Sequence, residues 1–196
     1  MSKVAITGNA SGTGTLTLAA PNTSSDYTLT LPAESGTIIT SAGGTTLTNL
    51  TVTNDATISG LTIGKGAGAV ATNTAVGASA LAANTTSSLN TAFGYNALTL
   101  SDANNNSAFG YNALSANTSG TPNSAFGRSA LASNTTGTSN TGIGYGAVQS
   151  NTTGGYNVGV GHQVLVNNTT ASNNTAVGYQ AAYTNTTGYN LSLIHI

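Results

Sequence analysis

Few side chains in this protein could perform chemistry, and their spacing limits what they can do. Up to Asn190 the candidates for acid–base work or metal ligation are His162 and the scattered carboxylates Asp26, Glu34, Asp55 and Asp102. Metal binding and general acid–base catalysis both need such groups to converge. No pair falls within one motif, so no catalytic residue, metal ligand or cofactor site is expected and the protein reads as a non-enzyme. The stretch Gly60-Leu61-Thr62-Ile63-Gly64-Lys65-Gly66 hints at a phosphate-binding loop. It lacks the four-residue gap between glycines and the Ser or Thr after Lys that cradle a nucleotide, and reads as a joint between segments. Gly142-Ile143-Gly144-Tyr145-Gly146 has no strand–helix context for dinucleotide binding. Recognition chemistry is concentrated in one series, Tyr95, Tyr111, Arg128, Tyr145, His162 and Tyr179, led by Ala78. A tyrosine offers an apolar face and a hydroxyl, which suits contact with a sugar or a protein.

Each member of that series follows a glycine, and the glycines reveal the elements that must position it. Gly77, Gly94, Gly110, Gly127, Gly144, Gly161 and Gly178 are separated by 17, 16, 17, 17, 17 and 17 residues. Seven repeats of about 17 residues are too short for propeller blades or helical hairpins, which need roughly 34 to 50. They fit coils of a parallel β-solenoid, with equivalent residues about 4.8 Å apart along the stack. Every repeat position then becomes a column. Val76, Phe93, Phe109, Phe126, Ile143, Val160 and Val177 form an apolar, β-prone column, expected to be the buried core. A second apolar column holds Leu81, Leu98, Leu114, Leu131, Val148, Leu165 and Ala182. The glycines suit a corner with positive φ or close backbone approach.

Asn73, Asn90, Asn106, Asn123, Asn140, Asn157 and Asn174 are placed to stack their amides into a hydrogen-bonded ladder. Asn-Thr-Thr at 84–86, 151–153 and 185–187 has turn chemistry. Ala75, Ala92, Ala108, Ala125 and Ala176 alternate with the large apolar column and so face the other way. A roll this thin buries little surface alone, and the small Ala face is expected to meet partner chains in a homotrimer.

Composition agrees with an ordered β structure. Charged residues are 4% of the chain, against roughly 25% in average globular proteins. The formal net charge is −1, and abundant Thr and Val argue against disorder. Lys3, Lys65 and Arg128 are the only basic side chains, too few to neutralise a run of phosphates or hold an anionic membrane. Neither nucleic-acid binding nor membrane insertion is expected. With no cysteine there is no disulfide framework or thiolate metal site.

The recurring Asn-[Thr/Ser]-Ala-[Val/Phe]-Gly-x-x-Ala-Leu resembles the head repeat of YadA-like trimeric autotransporter adhesins and related repeats in bacteriophage tail fibres. The likeness covers residues 67–190. It implies a left-handed parallel β-roll assembled as a trimer, projecting from a surface and contacting a host-cell glycan or protein. One departure is visible: Thr74-Ala75-Val76-Gly77 carries Thr where the adhesin pattern commonly has an apolar residue.

Residues 1–66 differ in kind. Period-two alternation at 14–18, 27–31 and 50–53, broken by Pro21 and Pro32, predicts short strands of a β-rich fibre segment. The run 28–40 resembles N-terminal segments of phage tail-fibre proteins. Met1-Ser2-Lys3-Val4 leads into no apolar stretch of a secretory signal, which favours a virion fibre made in the host cytoplasm over a secreted protein of the bacterial outer surface. The last six residues, 191–196, break the repeat and resemble a translated sequencing adapter, so a non-native tail is expected there, with the natural protein continuing past Asn190. The expected function is a structural fibre segment that displays repeated host-surface contacts. A secreted trimeric adhesin and an ice-binding solenoid are the alternatives, the latter requiring flat ranks of Thr-x-Thr.

Overall fold

In a computed structural model the protein is described over residues 56–58 and 61–195, all within the unit 49–196. The strands expected at 14–18, 27–31 and 50–53 lie outside the described residues. The described elements are all β. They begin with β1 (Ala56–Ile58) and β2 (Leu61–Gly64). One three-residue strand per coil follows: β3 (Thr74–Val76), β4 (Thr91–Phe93), β5 (Ser107–Phe109), β6 (Ser124–Phe126), β7 (Thr141–Ile143), β8 (Val158–Val160) and β9 (Thr175–Val177). A last strand, β10 (Ser192–Ile194), completes the series. Together they form one ten-stranded sheet in sequence order.

From β3 to β10 every pairing is parallel and column-true. Val76 pairs with Phe93, Phe93 with Phe109, and Phe109 with Phe126, so the stacking expected from the period is present. The fold is a β-solenoid of about seven turns. β2 instead pairs antiparallel to β3, Ile63 opposite Val76, and β1 antiparallel to β2. A hairpin therefore covers the edge of the first coil, which would otherwise present unpaired N–H and C=O groups. At the other end Ser192 pairs with Thr175 and Ile194 with Val177. The sequence breaks there, with Leu191 in the Asn column and His195 in the glycine column, yet backbone pairing continues because it does not depend on side-chain identity.

The expected core is inverted. Val76, Phe93, Phe109, Phe126, Ile143, Val160 and Val177 do not form the interior; Phe93 is 53% exposed and Ile143 41%, while Val76 and Val160 are half-buried. The alternate residues Ala75, Ala92, Ala108, Ala125 and Ala176 are the buried ones, and so do not form an outward face for a partner chain. The reason is the thinness of the roll. Between the strand wall and the returning wall there is room for small residues only, and the rest is filled by the Leu column. Packing is tight enough to show compensation: where Val164 replaces the usual Ala of the facing column, the strand residue is Gly159. A Cβ on Gly159 would sit 2.7 Å from Val148 Cγ2 and 3.0 Å from Val164 Cγ1, closer than packed carbon atoms approach.

The Leu column is buried as its periodicity predicts, from Leu81 through Leu165. Its backbone is not extended. Leu81, Leu98, Leu114, Leu131, Val148, Leu165 and Ala182 all have φ between +48° and +55°, a left-handed conformation that is uncommon for β-branched or bulky residues. Bonds to the adjacent coil hold it: Leu81 N–H donates to Ala97 O at 3.1 Å and Leu131 N–H to Ala147 O at 3.0 Å. The glycine corner meets both physical conditions set by the sequence. At Gly110 φ is +138°, and a Cβ would lie 2.5 Å from Gly127 O in the next coil.

Two columns of buried Asn replace the charged surface as the polar scaffold. In the first, each backbone N–H donates to the Oδ1 one coil before: Asn90 to Asn73, Asn106 to Asn90 and Asn123 to Asn106, each at 2.9 Å. Its Nδ2 groups mostly donate across the roll to backbone, as Asn123 does to Gly137 O at 2.9 Å. The amide-to-amide ladder lies mainly in a second column, inside the segments read as simple turns. Asn134 Nδ2 donates to Asn117 Oδ1 at 2.9 Å, Asn151 to Asn134 at 2.8 Å, and Asn168 to Asn151 at 3.0 Å. Satisfying these buried groups is what makes them tolerable in an uncharged interior.

Coil 94–110 is one residue short, and Asp102 explains how it fits. In a regular pair of coils the N–H groups of Thr118, Ser119 and Gly120 converge on Thr135 O of the next coil at 3.0, 3.1 and 3.3 Å. The matching N–H groups of Thr85, Thr86 and Ser87 converge on Asp102 Oδ1 at 3.1, 3.1 and 3.2 Å. Thr85 Oγ1 donates to Asp102 Oδ2 at 2.9 Å. The carboxylate thus takes the place of a backbone carbonyl. These donors, the Thr86 and Thr85 N–H groups foremost, hold its pKa down at about 2.

Candidate functional site

The recognition series sits one residue past each glycine corner. Its spacing is fixed by the backbone, because the carbonyls of Tyr95, Tyr111, Arg128, Tyr145 and His162 each accept an N–H from the next coil. Asn112 donates to Tyr95 O at 3.0 Å, Ser129 to Tyr111 O at 2.8 Å and Gly146 to Arg128 O at 2.9 Å. Gln163 donates to Tyr145 O at 2.8 Å and Gln180 to His162 O at 2.9 Å. The donor residues Asn96, Asn112, Ser129 and Gln163 have φ of +52° to +58°, which turns the chain inward toward the buried Ala and Leu.

The structure brings all six named side chains into one continuous stack. Tyr95 and Tyr111 lie with ring centroids 5.5 Å apart and planes 12° from parallel. The Arg128 guanidinium carbon is 5.5 Å from the Tyr111 ring centroid and 5.4 Å from that of Tyr145. Tyr145 stacks on His162 at 4.9 Å, and His162 on Tyr179 at 5.4 Å. All six are exposed, with Tyr95 at 50%. Since each ring face is covered by its neighbours along the stack, the solenoid offers solvent mainly ring edges, phenol hydroxyls and guanidinium and imidazole N–H groups. Face-on stacking of a ligand is confined to the two ends.

The displaced apolar column forms a second outward ladder. Phe109 and Phe126 stack at 4.9 Å and 7°, Phe93 and Phe109 at 6.2 Å and 13°. Above them Ile143, Val160 and Val177 continue the stripe in register. This face was missed as a surface because alternation shows only that Ala and Phe point opposite ways; Thr74, Thr91, Ser107 and Ser124, on the same side of the strands as the large residues, were the available signal.

Among the described residues no group of three His, Cys, Asp or Glu side chains is placed to hold a metal ion. His195 lies apart from His162, its Nδ1 2.6 Å from Tyr179 O. Among the same residues no helix is long and apolar enough to cross a membrane. Comparison with family models, with curated proteins and with solved structures returned no match.

Proposed function

We propose that this protein is a structural fibre segment of the phage tail-fibre type, working as a homotrimer that displays repeated host-surface contacts and carries out no turnover. The observation that carries this reading is the outward apolar ladder of Phe93, Phe109, Phe126, Ile143, Val160 and Val177. A contiguous exposed apolar stripe rimmed by hydroxyl residues marks an association surface, and closed symmetry is the usual way for identical chains to cover one. The solenoid supports it further, since one sheet in constant register gives each of three chains the same stripe along its length. The Tyr–Arg–His stack stands next to that stripe in sequence and supplies the contact chemistry, multiplied by coils and by chains. The resemblance of the repeat to YadA-like heads and tail-fibre repeats points the same way.

An ice-binding surface draws less support. The hydroxyls of Thr118, Thr135 and Thr152 donate to carbonyls of the next coil and so are not free to order water in a flat rank. The deciding experiment is the solution mass of the full chain by light scattering. A trimer is expected; Phe109→Glu, which puts a charge on the stripe, should yield folded monomer. A folded wild-type monomer at micromolar concentration would overturn the reading.

A further inference from the structure

The first coil is closed by more than a hairpin. Inner coils give their glycine N–H groups to the coil before them: Gly94 donates to Val76 O at 2.7 Å and Gly110 to Phe93 O at 2.8 Å. For Gly77 the acceptor is instead Thr62 O of β2, at 2.8 Å. The chain then runs on as a strap over the next corner, where Ala67 N–H donates to Leu81 O at 3.2 Å. Apart from Lys65, the strap is built of small residues, Gly64, Gly66, Ala67, Gly68 and Ala69, and it lies flat on the coil. At Gly66 φ is +82° and a Cβ would sit 2.5 Å from Leu81 Cβ; at Gly68 a Cβ would sit 2.4 Å from Thr85 O. Residues 62–68 thus cover the strand, the Leu corner and the Thr85 turn of one coil.

Beneath the strap is a sheet edge, a row of donors and acceptors that serves as a template for another strand. β2 shows which direction that template accepts: it pairs antiparallel, with Gly64 opposite Ala75 and Ile63 opposite Val76, so small residues meet on the inner face and apolar ones on the outer. The β3 strand of a second copy offers the same arrangement. Turned about a two-fold axis at Ala75, one β3 sets its Ala75 against the other's Ala75 and its Thr74 against Val76. Both halves of such a pair are the same surface, the self-complementary geometry of two-fold dimers. The strap is also held by a shorter register than a coil is. Only Ile63 and Gly64 pair with β3, whereas Thr91, Ala92 and Phe93 all do on its other side.

We propose that residues 61–69 are a displaceable cap, and that the β3 edge beneath it takes a second copy of this chain, strand to strand, as a two-fold head-to-head pair. The cap and the partner compete for one row of backbone groups, so the capped chain is closed to this association and the uncapped chain is open to it. The inference does not depend on the trimer: head-to-head pairing doubles whatever assembly the capped chain forms.

The test combines Gly66→Val with Gly68→Val in the full chain. A β-branched residue is strained at positive φ, and both new side chains run into the coil below, so the strap lifts. Hydrogen exchange at the Gly77 amide, which the strap protects, should then be at least about tenfold faster. By light scattering the variant should have twice the mass of the wild type at the same concentration, falling back on dilution, with the β signal in circular dichroism retained. A synthetic peptide of residues 56–69, added in excess, should reoccupy the edge and restore the wild-type mass, which it would not do for an aggregate of misfolded chains. An unchanged mass with fast exchange at Gly77, an unchanged protection of Gly77, growth beyond a doubling, or a mass that the peptide does not reduce would each overturn the inference. The same data separate it from the trimer. A monomeric wild type with a dimeric variant removes the trimer and leaves the cap, and a trimer in both removes the cap and leaves the trimer.

Discussion

The inner and outer surfaces of each coil obey different rules. Inside, the columns stay within small aliphatic residues: Ala92, Ala97 and Leu98 recur as Ala108, Ala113 and Leu114 and again as Ala125, Ala130 and Leu131, the strand Ala gives way to Gly at Gly142 and Gly159, and the one enlargement, Val164, stands against Gly159. Outside, the large column drifts from Phe93, Phe109 and Phe126 to Ile143 and Val160, and the stack beside it changes from Tyr to Arg to His without disturbing the backbone. Volume and hydrogen bonding constrain the inside, whereas the outside need only be β-compatible and offer whatever contact is required. The contrast teaches that constancy marks the scaffold here, and that variation at fixed spacing marks the solvent-facing columns.

That contrast can be broken by substitution, starting where the effect should be greatest. Gly127→Ala places a methyl 2.5 Å from Gly144 O at a backbone φ of +137° and should cost roughly 2–6 kcal/mol by strain and overpacking together, read by chemical denaturation. Leu131→Ala, at a fully buried position, should cost about 2–5 kcal/mol. Asn134→Ala strips a donor from Asn117 and an acceptor from Asn151, for about 1–3 kcal/mol. Phe126→Ala, on the outer ladder, should change the stability of a single chain by under about 1 kcal/mol, and should lower the solution mass read by light scattering if the proposed trimer forms through that ladder. If Phe126→Ala destabilises the monomer as much as Leu131→Ala does, the assignment of inside and outside is wrong.

A subtler test uses pH. Asp102 is held at about 2 by the N–H groups of Thr86, Thr85 and Ser87 and the Thr85 hydroxyl, against 3.8 for the unperturbed group. A depressed folded value means that the carboxylate stabilises the coil above pH 3.8, and that this contribution fades as pH falls through about 2. Asp102→Asn should therefore lower the thermal midpoint at pH 7, with the gap to wild type closing in acid. A gap that is independent of pH would show that shape, and not charge, does the work.

Much of this was legible from repetition alone. The period, the column register, the buried Leu series and the glycine corner follow from which residue types recur every 17 positions. The choice of inside and outside did not, because Ala75 and Val76 differ in direction but nothing in their order says how wide the interior is. Burying the larger residue is the ordinary expectation, and it fails in a roll only two short side chains across. Of the second Asn column, Asn84 and Asn151 were read within Asn-Thr-Thr turns and Asn117, Asn134 and Asn168 were not singled out, since one copy of Asn-Thr-Thr looks like any loop. The Tyr–Arg–His series was legible as a column of positions; the sandwiching of Arg128 depends on side-chain directions that spacing does not carry. The left-handed backbone of Leu81 and its equivalents had no local signal, as leucine gives no hint of positive φ.

The replacement of a main-chain oxygen by the Asp102 side chain bears on how such an array could change over time. Tandem copies invite slippage during replication, and loss of a single codon would ordinarily put everything after it out of phase. Here the fault is contained: Asn106 meets Asn90 at 2.9 Å, the same distance at which Asn123 meets Asn106, so the coil after the shortened one begins in step. At the gap the Asp102 carboxylate accepts the N–H groups of Thr85, Thr86 and Ser87 that a main-chain oxygen takes elsewhere. A solenoid built on this plan can therefore absorb a lost residue, provided that the mended coil stays at a pH where its carboxylate keeps its charge.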